Sequence, residues 1–210
     1  MQVIILGAGK PHFGKKASAI INIIKNQKTL DFILDVAEKH ASSIKFISGF
    51  NHKEIKKKFL NINIKYNKYW NKSGPIYSLS QTNINENEDL IIMYSDILIR
   101  KKFFEKIINS NSDLTISCDS LYFKRFENRN IQDLKRVEKV IFFKNKKLNF
   151  VNNILPKRKS AELLGLIKIN KKHIPLLKKY LLKANNRVNN LKLIHLLNYF
   201  NNLKLNSKNN

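Results

Sequence analysis

The sequence predicts an α/β protein: a mostly parallel sheet with helices on both faces and an antiparallel hairpin added late. Three observations carry this. Short apolar runs alternate with helix-spaced segments over the first ~120 residues, the pattern that builds a parallel sheet through crossover connections. Several of the runs are apolar without a break, as strands covered on both faces are. After Val140 the rhythm changes, and two apolar runs flank Lys144–Lys147 as the arms of a hairpin flank its turn.

Taken in order, Val3–Leu6 is the first strand, and a glycine and lysine loop follows it. Ser18–Asn26 is ambiguous. Leu30, Ile33, Leu34, Ala37 and Ala41 recur at helical spacing, with Thr29 or Asn26 leading in. Ile44–Ser48 is a strand ended by Gly49, His52–Phe59 a short basic helix, and Ile62–Tyr66 a third strand. Asn67–Pro75 is a loop holding Trp70, the only tryptophan, which packing explains more readily than base stacking. Ile76–Thr82 makes one or two helical turns and Asn83–Glu88 a turn. Asp89–Tyr94 is the clearest strand; Phe103, Phe104, Ile107 and Ile108 mark the next helix, and Leu114–Cys118 the next strand. Leu163–Ile169 is a further strand, and His173–Leu182 and Asn189–Phe200 are amphipathic helices. One domain over residues 1–200 is expected, with a polar tail over 201–210.

A hydrophobic content of 43%, with 13 Phe and 7 Tyr, belongs to a folded globule. The net charge is +25. Readers of nucleic acid cluster arginine and aromatics on one face. Here lysine far exceeds arginine and is spread along the chain, so no specific nucleic-acid partner is expected, although the charge attracts anions such as nucleotides. The single Cys118 rules out an internal disulfide and a multi-cysteine zinc site, and no His pair has metal-ligand spacing. No run is long enough to span a membrane or to form a signal-peptide core, so a cytoplasmic location is expected.

Two features point to chemistry. The loop after Leu6 holds Gly7, Gly9 and Gly14 with Lys10, Lys15 and Lys16, and His12 lies within it. Glycine lets backbone N–H groups approach a polyphosphate, and lysine adds point charge. The common dinucleotide and P-loop fingerprints are both absent, so a tight strand–helix turn stays open beside the phosphate reading. Asp96 ends a continuously apolar strand, and ligands of open α/β sheets sit beyond the carboxyl ends of strands. Asp96 therefore faces the same crevice as the loop, as an Mg²⁺ ligand or as the cap of the next helix. Asp119 also ends a strand.

The chain resembles the nucleotidyltransferases that make NDP-sugars and CMP- or CDP-activated small molecules, nearest the branch that activates phosphonates and phosphocholine-like compounds. The resemblance rests on VIILGAG at Val3–Gly9, TLDFILD at Thr29–Asp35, FISGF at Phe46–Phe50 and SGPIYSL at Ser73–Leu79. It continues through YSDILIR at Tyr94–Arg100, CDSLYFKRFENR at Cys118–Arg129, EKV at Glu138–Val140 and AELLGLIKI at Ala161–Ile169. It implies a Rossmann-like fold of the GT-A type. The implied reaction is attack of a phosphate or phosphonate oxygen on the α-phosphorus of a nucleoside triphosphate, CTP by resemblance, with release of pyrophosphate. Leu6, Gly7, Ala8, Gly9 and Lys10 would hold base and phosphates, with Lys10 or Lys16 neutralising charge. Ser73, Gly74 and Ser78 would lie near base or ribose, and Asp96 would bind Mg²⁺. Asp119, Glu138, Lys139 and Glu162 would lie on the acceptor side. A homodimer is compatible with this reading.

The resemblance departs from the family pattern at two points. Lysine stands where an arginine is usual after the glycine loop, and no acidic residue follows Glu162, so Glu138 or Glu162 would have to complete the metal site. The alternatives are a catalytically degenerate nucleotide-binding relative and a GT-A glycosyltransferase. The latter would want Asp-x-Asp where this chain has Ser95-Asp96-Ile97.

Overall fold

The computed structural model describes residues 1–11, 14–142, 148–151 and 160–203. The chain begins with strand β1 (Gln2–Gly7), then a small hairpin of β2 (Asn22–Ile24) and β3 (Gln27–Lys28), helix α1 (Thr29–Ala37) and β4 (Ser43–Ser48). Next come α2 (His52–Lys58), β5 (Asn63–Tyr66), α3 (Pro75–Ser80), β6 (Leu90–Tyr94), α4 (Lys101–Ile108) and β7 (Leu114–Asp119). Two short helices follow, α5 (Tyr122–Arg125) and α6 (Ile131–Arg136). The chain then forms β8 (Lys139–Phe142), β9 (Leu148–Val151), β10 (Ser160–Ile169), α7 (Ile174–Asn185) and α8 (Leu193–Asn202).

The predicted α/β sheet is present. β5, β4, β1 and β6 lie side by side and parallel. The unbroken apolar runs follow from covering on both faces. In β1, Val3 and Ile5 pack with Leu30 and Ile33 of α1 and Phe104 of α4. Ile4 and Leu6 pack on the other side with Ile76 of α3, Leu177 of α7 and Leu197 of α8. Alternate residues of one strand thus serve two cores.

The antiparallel part is larger than a hairpin. β8 and β9 do pair antiparallel, but β10 also runs against its neighbours. Leu166–Ile169 pairs with β6 and Ser160–Glu162 with β8. β7 pairs with both halves of β10 across a register shift between Leu163 and Ile167. Gly165 lies in that shift at φ +72°. A side chain there would be strained by the backbone and would press into the Tyr94 ring.

Several boundaries differ from expectation. α1 stops at Ala37 rather than continuing to Ala41, because the chain must turn into β4, where Ser42 N–H reaches Met1 C=O at 2.8 Å. β10 begins at Ser160, earlier than the apolar run alone suggests. α8 begins at Leu193, because Asn189–Leu191 is drawn against the start of α3: Gly74 and Ile76 N–H donate to Asn189 and Leu191 C=O at 2.8 and 3.1 Å. Asn201 and Asn202, expected in the polar tail, close α8. His12, the turn at Lys144–Lys147 and the tail from residue 204 lie outside the described residues.

Candidate active site

β1 has parallel neighbours on both edges, β4 and β6, so the chain crosses over in opposite directions from it. A crevice opens at such a reversal, beyond the carboxyl ends of the strands. Here Leu6 C=O receives Ser95 N–H at 3.1 Å, and Ala8 C=O receives Phe50 N–H at 2.9 Å. Gly7 packs against the Phe46 ring and the Ser95 hydroxyl with no room for a Cβ, so the loop can lie close to β6. The result is a cleft of about 220 Å³ whose wall includes Leu6, Gly7, Ala8, Gly9, Lys10, Ser73, Gly74, Ser78 and Asp96.

Trp70 and Tyr94 also line it. Lys10 Nζ stands 5.6 Å from the centroid of the Phe50 ring, which is tilted against Trp70 with centroids 5.4 Å apart. Lys15 and Lys16 are exposed and do not line this cleft; the Lys16 charge acts on Glu54 of α2. Ser73 and Ser78 share one partner, the buried Asn67, whose Nδ2 donates to both hydroxyl oxygens at 2.9 Å.

Asp96 opens to solvent, yet the walls crowd its carboxyl and burial raises its pKa. Behind it the Tyr94 hydroxyl faces the Glu138 carboxyl. Burial raises the Glu138 pKa, and the Asp96 charge adds to this, while Lys192 opposes it from 4.0 Å. Glu138 Oε2 is buried and, among the described residues, makes no hydrogen bond of ordinary geometry. Burial also raises the Tyr94 pKa, and the two carboxylates push it further up.

A second cavity of about 340 Å³ shares Asp96 with the first. Its wall includes Ser117, Arg125, Phe126, Arg129 and Glu162. Arg125 bridges Asp119 and Glu162, the latter at 2.6 Å. The Arg129 guanidinium stacks 4.5 Å from the Phe126 ring centroid. Burial raises the Glu162 carboxyl pKa and Arg125 opposes it. Lys139 is placed differently: it is fully buried, and its ammonium donates to the C=O of Val137 at 2.8 Å and of Lys135 at 3.3 Å. Sequence reasoning did not single out Arg125, Arg129, Asn67, Tyr94 or Lys192. The one available signal was that two of the chain's six arginines fall within CDSLYFKRFENR.

No family model matches the chain. CTP:phosphoglutamine cytidylyltransferase of Campylobacter jejuni subsp. jejuni is 27% identical over 198 residues, covering 81% of this chain and 73% of that protein. The solved inositol-1-phosphate CTP transferase from T. maritima shares the fold, with a TM-score of 0.63 at 15% identity, over 93% of this chain and 79% of that one. Likeness of sequence to the first and of fold to the second point the same way: the chain is similar in sequence to a cytidylyltransferase and shares its fold with a CTP transferase.

Proposed function

We propose that the protein transfers CMP from CTP to a small phosphorylated acceptor and releases pyrophosphate. The observation that carries this is the position of Asp96, which belongs to both cavities. The first takes the triphosphate on the Gly7–Lys10 loop, and Lys10 offsets its charge. The second takes the acceptor, with Arg129 and Arg125 meeting its phosphate as planar forks suited to oxyanions. One acceptor oxygen forms a bond to the α-phosphorus, the bond from that phosphorus to the bridging oxygen breaks, and pyrophosphate leaves with the electron pair. The residues do this by alignment and by stabilising charge.

Mg²⁺ fits these residues. Asp96 and Glu138 are two carboxylates within mutual electrostatic reach, each with a raised pKa, and among the described residues the buried Glu138 Oε2 makes no hydrogen bond of ordinary geometry. Mg²⁺ is commonly held by one or two carboxylates plus substrate phosphates, so the want of a third acidic or imidazole ligand among the described residues is no obstacle. When bound, the ion would supply neutralisation of the triphosphate charge. A phosphonate in place of the acceptor phosphate would present the same oxygens.

The test is a screen of each nucleoside triphosphate with Mg²⁺ and a panel of phosphate esters and phosphonates, reading pyrophosphate. Release that requires CTP and a phosphorylated acceptor supports the proposal, and Arg129→Ala should then raise the acceptor KM more than the CTP KM. Folded protein that binds CTP but releases no pyrophosphate with any acceptor would overturn it.

A further inference from the structure

Asn67 holds a hydrogen-bond arrangement that can tell one pyrimidine from another. It is buried, at 1% exposure, at the end of β5, and its backbone N–H is fixed on Ser48 C=O at 2.8 Å. Its Oδ1 accepts the Tyr69 backbone N–H at 2.9 Å. A backbone N–H can only donate, so this bond settles which end of the amide is oxygen. Nδ2 must then point the other way, where it donates to Ser73 Oγ and Ser78 Oγ, both at 2.9 Å.

A hydroxyl has one hydrogen to give and two lone pairs to receive with. Both serine oxygens receive from Asn67, and among the described residues neither hydroxyl donates to a protein acceptor. Both serines line the cleft. Each hydroxyl therefore keeps its hydrogen and one lone pair for a ligand, and only a ligand acceptor pairs that hydrogen. Resting on the reading of this cleft as a pyrimidine nucleotide site, we infer that Asn67 is the positioning residue that sets base preference. By filling one lone pair on each of Ser73 and Ser78 and leaving their hydrogens to be paired, it favours cytosine, whose N3 and O2 both accept, over uracil, whose N3 carries a hydrogen. A hydroxyl that turns its second lone pair to the uracil N3–H leaves its own hydrogen unpaired, which disfavours binding by roughly tenfold or more.

Calorimetric titration of CTP and of UTP, without acceptor, tests this on the wild type and on Asn67→Asp. The aspartate keeps the shape and still accepts from Tyr69. With only acceptors to offer, it draws both hydroxyl hydrogens inward and turns the serine lone pairs toward the cleft; these three hydrogen bonds favour its ionised form. The wild type should bind CTP about tenfold or more tighter than UTP, and Asn67→Asp should reduce that ratio by about tenfold or more. A ratio unchanged in folded Asn67→Asp overturns the inference. If that variant does not fold, the double variant Ser73→Ala, Ser78→Ala decides: a collapsed CTP preference supports the inference, and a wild-type ratio overturns it. Wild-type protein that binds both nucleotides equally overturns this inference alone. Wild-type protein that binds neither overturns the nucleotide reading of the cleft, and this inference with it.

Discussion

Lys192 holds its ammonium 4.0 Å from the Glu138 carboxylate. It lies in the short extended segment before α8. That segment also supplies the carbonyls that bond Gly74 and Ile76 at the lip of the cleft, and the backbone of the next residue, Leu193 at the start of α8, meets Tyr94. The same few residues thus buttress the side of the cleft that holds Ser73 and Ser78 and bring a fixed cation to the Asp96 and Glu138 pair. In a site that collects negative charge, a resident lysine competes with any mobile cation.

Removing that competitor should therefore strengthen cation binding. In Lys192→Met, Mn²⁺ titrated in the absence of nucleotide should bind several-fold tighter, consistent with a unit charge worth on the order of 1 kcal/mol at this range in a partly solvated site. The gain should shrink at high salt, because Lys192 is a third exposed and its field is screened. Unchanged Mn²⁺ affinity at low salt would show that Lys192 does not act on the acid pair.

Asp96→Asn should lower turnover by about a hundredfold or more while leaving CTP affinity within several-fold of wild type, since it removes charge at the junction of the cavities and leaves the loop intact. The pH dependence of the wild type has a definite sign. Burial raises the Asp96 pKa, and burial with the Asp96 charge raises that of Glu138. If the ionised forms are the working ones, kcat should climb with pH through a range above that of ordinary carboxylates. A profile already flat at and above pH 5 would count against these two acids.

Gly165→Ala tests the bend in β10. The φ of +72° is unfavourable for alanine, and the new methyl would press on the Tyr94 ring. Together these should cost on the order of 2 kcal/mol or more in a denaturant titration. Tyr94 lines the cleft and faces Glu138, so CTP affinity should fall in the same variant. Loss of stability with wild-type CTP affinity would separate the bend from the site.

The fold was legible wherever a strand is covered on both faces. β1 and β6 read directly, because an unbroken apolar run leaves few other options. α6 did not, since none of its residues is buried and no apolar stripe marks it. The hairpin of β2 and β3 was hidden for a similar reason, its Ile23 and Ile24 being exposed. The cleft was legible through a topological rule that puts Leu6–Lys10 and Asp96 at one sheet edge. Groups defined by whom they meet were not legible. Asn67 reads as an ordinary loop residue until Tyr69 N–H fixes its amide. Lys139 reads as a free cation until the end of α6 turns its carbonyls toward it, and helix ends need such donors.

Cys118 should be inert in the native protein. Burial pushes its thiol pKa up to about 12, so at pH 8 the thiolate fraction is on the order of 10⁻⁴. A disulfide-exchange reagent at pH 8 should label it only after unfolding. Labelling of the native protein at the rate of a free thiol would contradict this placement.

Asn198 of α8 takes the place of a neighbouring strand on β9. Phe150 N–H donates to its Oδ1 at 3.2 Å, and its Nδ2 donates to Phe150 C=O at 2.8 Å. One helix residue thus satisfies both backbone groups at the last strand of the sheet path, with Asn201 bonding Leu148 C=O at 2.7 Å beside it. Asn198→Ala would leave Phe150 to water or to another chain's strand, so it should destabilise the fold by about 1–3 kcal/mol and promote association at high concentration. Asn201→Ala removes one bond, to a carbonyl alone, and should cost less. Amide exchange at Phe150 should quicken in Asn198→Ala while β1, in the middle of the parallel strands, keeps its protection. Equal loss of protection in β1 and β9 would mean that α8 holds the whole sheet rather than its edge.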